Sequence, residues 1–191
     1  MKFINKKTIE IDRELSDLDT FAIDFTDILK KNIDYVIVSG YVAILLGRAR
    51  ASEDIDVIIP KIDFSTFKIL YSDLKKNNFY CINAEQESEV FEYLKDNLAI
   101  RFAKNGTMIP NIEMKWAKNR FDELALENTI DVKIKKAKLC ISHLELQIAF
   151  KEMVLKSPKD LDDADHIRDV AKDYLDSKLI QKYKEMLHGF Y

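Results

Sequence analysis

The chain predicts an α/β (α+β) fold, a small mixed β-sheet flanked by helices with a C-terminal helical bundle packed on it. Three observations predict it. Short apolar runs rich in Val and Ile recur between longer segments whose apolar residues fall at intervals of three and four. One such run, Val36-Ile37-Val38, breaks at Ser39-Gly40 and passes into Tyr41-Val42-Ala43-Ile44-Leu45-Leu46, an order of strand, tight turn and helix. Beyond Leu139 the strand-like runs cease and helical segments follow.

Taken in order, Leu15, Leu18, Phe21, Ala22, Phe25 and Ile28 share one face and predict a helix over Arg13 to Lys31. A strand at Tyr35, a helix from Tyr41 to Leu46, a strand opening at Asp54 and a helix from Phe64 to Asn77 come next. Strands are expected at Phe79-Tyr80-Cys81-Ile82, Ala99-Ile100-Arg101-Phe102 and Ile112-Glu113-Met114. A helix around Val90 to Lys95 separates the first two, and Asn105-Gly106 supplies a hairpin turn between the last two. Three helices, His143 to Lys156, Asp160 to Tyr174 and Ser177 to Leu187, complete the chain, with Ser157-Pro158 breaking the first from the second. Two regions follow, 1–139 and 140–191, divided by a change of character rather than a flexible joint.

With 191 residues, 47% of them hydrophobic, the chain can bury one good core or one α/β module with a small helical appendage. A net charge of −3 gives no global pull toward nucleic acid. Local basic groups, Lys133, Lys135, Lys136 and Lys138, and Lys115, Lys118 and Arg120 near Trp116, are either solvated faces or a nucleic-acid contact. No secretory leader and no apolar run long enough for a membrane span are seen, so a cytoplasmic protein with no membrane partner is expected. Cys81 and Cys140 are expected as free buried thiols, and His143, His166 and His188 lack metal-ligand spacing.

The chemistry centres on Ser52-Glu53-Asp54-Ile55-Asp56-Val57-Ile58-Ile59. Strand side chains alternate between faces, so Asp54 and Asp56 project together, roughly 6.6 Å apart along the strand, while Ile55 and Val57 enter a core. Paired carboxylates at that spacing suit Mg²⁺ or Mn²⁺, ions that leave much of their coordination to substrate phosphates. Glycine in the Ser39-Gly40 turn allows close backbone approach to a ligand, and the helix start behind it favours an anion.

Val38-Ser39-Gly40-Tyr41-Val42-Ala43, followed by Gly47-Arg48-Ala49-Arg50-Ala51-Ser52-Glu53-Asp54-Ile55-Asp56, resembles the signature of the DNA polymerase β-type nucleotidyltransferase superfamily. The likeness is to its small prokaryotic branch, which includes the AbiEii-like toxins. Ser39-Gly40 departs from the usual Gly-Gly or Gly-Ser doublet, and Ser52 stands where threonine is common. The resemblance implies a third carboxylate on a neighbouring strand. Glu113, in Ile112-Glu113-Met114, and Asp131, in Ile130-Asp131-Val132, both fit an alternating pattern, and the order of elements in the family favours Glu113.

It further implies that Ser39, Gly40 and Arg50 meet the triphosphate. Lys151, in Leu146-Gln147-Ile148-Ala149-Phe150-Lys151, matches a family lysine placed near the nucleotide; the alternative is an ordinary surface lysine. Arg48 and Arg50 would stabilise developing charge, contact the acceptor or simply balance the acids beside them, and Asp160 and Asp163 would cap and orient the following helix. The implied activity is transfer of a nucleoside monophosphate from an NTP to a hydroxyl on RNA, protein or a small molecule, with Asp54, Asp56 and Glu113 as catalytic and metal-binding residues. Two alternatives accompany it: a toxin with an antitoxin partner, and a non-catalytic nucleotide-binding scaffold.

Overall fold

Nine strands form one continuous mixed sheet in the computed structural model, which describes residues 1–189. Phe190 and Tyr191, at the end of the expected helical region, lie outside the described residues. The strands are β1 (Lys2–Asn5), β2 (Thr8–Ile11), β3 (Val36–Val38), β4 (Asp54–Ile59), β5 (Phe79–Cys81), β6 (Ile100–Lys104), β7 (Asn111–Trp116), β8 (Thr129–Ile134) and β9 (Ala137–Ser142). Their spatial order is β1-β2-β8-β9-β3-β4-β7-β6-β5. The helices are α1 (Asp17–Asn32), α2 (Gly40–Leu45), α3 (Phe64–Lys76), α4 (Glu87–Lys95), α5 (Arg120–Glu127), α6 (Leu144–Phe150), α7 (Pro158–Ala171) and α8 (Ser177–His188).

The sheet is larger than the sequence pattern suggests, for local reasons. β1 and β2 are four residues each in a lysine-rich start, and only Ile9 and Ile11 of this hairpin are fully inward. β9 spans the expected boundary at 139/140, because Leu139 and Ile141 alternate into the core and the strand then runs directly into α6. The expected helix His143 to Lys156 is α6 followed by a π-helical turn, Lys151–Leu155, which ends where Lys156 enters the left-handed region at φ 55°. α1 begins at Asp17 rather than Arg13 because Ser16 and Asp19 cap each other's backbone reciprocally. Arg13 instead donates to the Asp19 carboxylate.

Alternation along β4 and β7 divides the two layers. Ile55, Val57, Ile59, Ile112, Met114 and Trp116 face the main core, where Phe25 of α1, Phe67 and Leu74 of α3 and Phe102 of β6 pack. The opposite face carries Val36 and Ile58, covered by Phe121 and Leu124 of α5, Leu146 and Ala149 of α6 and Tyr183 and Leu187 of α8. These helices cover only part of that face. Asp54 and Asp56 lie on it beyond Ile58, at the N-terminal end of β4.

The lysine clusters are largely paired within the chain: Lys133 with Glu10, Lys135 with Glu14 and Asp12, Lys138 with Asp131, and Arg120 with Glu123 and Glu127. Cys81 and Cys140 are free thiols, the first buried and the second partly exposed. Among the described residues no helix is long and apolar enough to cross a membrane.

Candidate active site

The site begins with strand register. β4 and β7 run parallel with Asp56 opposite Glu113 and Asp54 opposite Asn111, so all four side chains stand on one face. β3 runs antiparallel to β4 on its other side with Val38 opposite Asp56, which brings the next residue, Ser39, beside the carboxylates. Asp131 stands elsewhere. It is on β8, separated from β4 by β9 and β3, and its carboxylate pairs with Lys138 at 2.9 Å.

Burial pushes the Asp56 carboxyl above its ordinary range, and the charges of Asp54 and Glu113 add to the rise. The neighbouring Ser39 hydroxyl and the charge of Lys115 oppose it. Glu113 is partly neutralised from β6, where Arg101 is its antiparallel register partner. Arg101 Nε and Nη2 both donate to Glu113 Oε2, at 2.9 and 2.6 Å. The sequence pattern placed Arg101 on a strand and gave it no role; only the pairing of β6 with β7 sets it over the acids.

Asn111 Oδ1 is a buried acceptor without a hydrogen-bond partner, on the residue in register with Asp54. Adjacent carboxylates, the buried Asp56 among them held above its ordinary range, and a spare oxygen beside them fit a hard divalent cation. Among the described residues no group of three or more His, Cys, Asp or Glu side chains is gathered to hold a metal. Asp54 and Asp56, with Glu113 in register beside them, are the carboxylates that would meet such an ion, with phosphate and water completing its shell.

The bend after β3 is strained. Ser39 sits at φ 66° and ψ −136°, backbone space that glycine enters freely and a serine does not. Its N–H donates to Gln147 Oε1 at 3.2 Å. Gly40 is buried, and a Cβ there would lie 3.0 Å from the Arg50 guanidinium. The expected close approach at this glycine is thus made by Arg50, a neighbour within the fold.

Arg50 and Lys151 are tied to α7 rather than to Asp54 and Asp56. Arg50 and Arg48 both donate to Asp163, Arg48 also reaches Asp162 at 3.0 Å, and Lys151 Nζ donates to Asp163 at 2.8 Å and Asp160 at 3.3 Å. Lys151 and Asp163 are both 0% exposed, so Lys151 is no surface lysine. Asp160 serves the start of α7, where its N–H donates to the Ser157 hydroxyl.

A cleft of about 150 Å³ leads from this bend beneath α5 and α6, lined on its polar side by Ser39, Asp56, Lys115, Asp122, Ser142 and Gln147. Phe121, Phe150 and Leu155 form its apolar wall. His143 takes no part in it; its ring contacts Asn128 O and the Tyr183 hydroxyl, both at 3.0 Å, fastening the start of α6 to α8.

No protein-family model matches the chain, and no curated protein does. Among solved structures, the chain is similar to the crystal structure of an antigenic nucleotidyltransferase-like protein from Paracoccidioides brasiliensis. The likeness has a TM-score of 0.51 at 17% identity and covers 88% of this chain and 85% of that one. It shows the fold: this chain has a nucleotidyltransferase-like architecture.

Proposed function

We propose that the chain transfers a nucleoside monophosphate from an NTP to a hydroxyl acceptor, releasing pyrophosphate. One observation carries this reading: Asp56 stands in register with Glu113, beside Asp54 and the Ser39 bend, on one partly uncovered face of a nucleotidyltransferase-like sheet. Electrostatic repulsion among these acids supports a role in gathering positive charge, because a purely structural site would be expected to neutralise them.

Asp54 and Asp56 are the residues that would hold Mg²⁺ or Mn²⁺, which when bound neutralises polyphosphate charge. The chain's own work is positioning and electrostatics. Ser39 favours the charged form of Asp56 from beside it, and Arg50 brings positive charge to the bend against Gly40. Arg101 holds Glu113 by one oxygen, leaving Oε1 to accept the proton of the acceptor hydroxyl as that oxygen attacks the α-phosphorus. The bond to the pyrophosphate oxygen breaks in the same displacement, and pyrophosphate leaves. Lys151 stands behind Arg50, sharing Asp163 with it, and acts on the nucleotide through that arrangement.

The test is incubation with Mg²⁺ and α-labelled NTPs in the presence of cellular RNA and of lysate protein. Label should pass to an acceptor and be lost in Asp56→Asn. Nucleotide binding with no transfer to any acceptor class would instead favour a binding scaffold and overturn the enzyme reading.

A further inference from the structure

We infer that Gln147 is a positioning residue of this site, holding the strained Ser39 bend from the C-terminal helices so that Ser39 stays beside Asp56. The inference rests on the reading of the carboxylate edge as the reactive centre. It adds a part that neither the acidic motif nor the glycine turn contains.

Three observations support it. Backbone in the region occupied by Ser39 is costly for a non-glycine residue and persists where the surroundings over-determine it. The surroundings here are identifiable: Arg50 closes the Gly40 side of the bend, and Gln147 takes the Ser39 N–H. Gln147 is itself buried on α6, and both ends of its carboxamide are used, Oε1 accepting from Ser39 and Nε2 donating to the Ser142 hydroxyl.

The direction of this bridge follows from chemistry. A backbone N–H only donates, so the atom facing it must be the carboxamide oxygen, which turns Nε2 toward Ser142. Ser142 is fully buried at the end of β9, one residue before the start of α6 is anchored by His143. The bend therefore takes its conformation from a distant strand end and from a helix whose Gln147 lies 108 residues further along the chain. Glycine at position 39 would adopt these torsions without help; serine needs the clamp, and in return places a hydroxyl-bearing side chain next along the chain from Val38, the register partner of Asp56.

The experiment compares the wild-type chain with Gln147→Met and Gln147→Glu, reading amide hydrogen exchange at Ser39 by NMR together with kcat and KM for NTP turnover. In Gln147→Met the Ser39 amide should lose protection while Val36 and Ile37 in β3 keep theirs. Turnover should fall by about 100-fold with KM little changed, the scale of a small misplacement at a reacting centre. Gln147→Glu retains an acceptor for the Ser39 N–H, and the Ser142 hydroxyl can reverse to donate to it, so protection should be kept and turnover recovered toward wild type. Should Gln147→Met not fold, Ser142→Ala removes the other end of the bridge and should loosen the same amide to a smaller degree.

Unchanged Ser39 exchange in Gln147→Met, or lost protection with unaltered turnover, overturns the inference. If the wild-type chain neither binds nor transfers nucleotide, the functional reading fails by itself, and the exchange measurement still decides whether Gln147 holds the bend.

Discussion

Two clusters of charge flank the Ser39–Gly40 bend, and they are built in opposite ways. Behind it, Arg48, Arg50 and Lys151 meet Asp160, Asp162 and Asp163, with Lys151 and Asp163 wholly buried and each cation on a carboxylate. In front of it, Asp54, Asp56 and Glu113 repel one another, Arg101 covers Glu113, and Asp56 is pushed toward its neutral form by burial and by its neighbours. The difference separates two uses of charge. A balanced, desolvated network positions elements against each other, whereas an unbalanced one at a cleft is kept at a cost in fold stability, as the proposed function requires of it.

The largest test of this contrast removes the hub of the balanced cluster. Asp163→Asn leaves three cations sharing a weakened set of partners out of water, and should destabilise the chain by about 3–5 kcal/mol, read as a fall in the urea midpoint at constant m-value. Asp56→Asn should act in the other direction. Taking a disfavoured charge from the front cluster should raise stability by about 0.5–2 kcal/mol while abolishing nucleotidyl transfer. If both substitutions destabilise alike, the two clusters are not different in kind.

Ser39→Gly sharpens the role of the bend between them. Relief of the positive φ should stabilise by about 1 kcal/mol, and loss of the hydroxyl should lower transfer, so stability and activity part company at one residue. The smallest effect is remote. Burial holds the His143 imidazole below its ordinary value of 6.5, so the unfolded chain takes up that proton first as the pH falls. The stability contributed by neutral His143 is complete above that value and declines as the pH drops through the lower folded value. Urea midpoints measured on either side of that window should fall with acidification, and less steeply in His143→Asn.

How much of this was legible in sequence depended on the range of the interaction. Asp54 and Asp56 were visible because alternation within one strand needs no partner to set which side chains project together. Glu113 and Asp131 looked alike for the same reason, each an acid between two inward apolar residues; what separates them is that β7 pairs with β4 and β8 does not. β1 and β2 are not legible in the sequence because four-residue strands with few inward apolar side chains carry almost no periodic signal. β9 is not legible because its apolar alternation continues into the first turn of α6, and the two periods blur across Ser142 and His143.

Gln147 had a weaker signal still: a polar residue among Leu146, Ile148 and Ala149 on a helix that is buried all round. A buried amide in such a setting needs partners, which marks it for attention without naming Ser39. Arg50 lies within the motif and Lys151 on a helix that the family resemblance marks, yet their partners, Asp160 and Asp163, stand on a helix whose docking no local pattern specifies.

By itself, then, the sequence determined the periodicities: which residues form strands of the central sheet, where the chain turns at Ser39-Gly40, and that two aspartates share a face. Those follow from backbone geometry acting over a few residues. Tertiary structure alone decided which acid joins them, that Arg50 lies on Gly40 and Lys151 on Asp163, and that α6 reaches back to clamp the bend. Strand order and helix docking are set by burial summed over the whole core, and a charge acquires its partner only when that sum has been made.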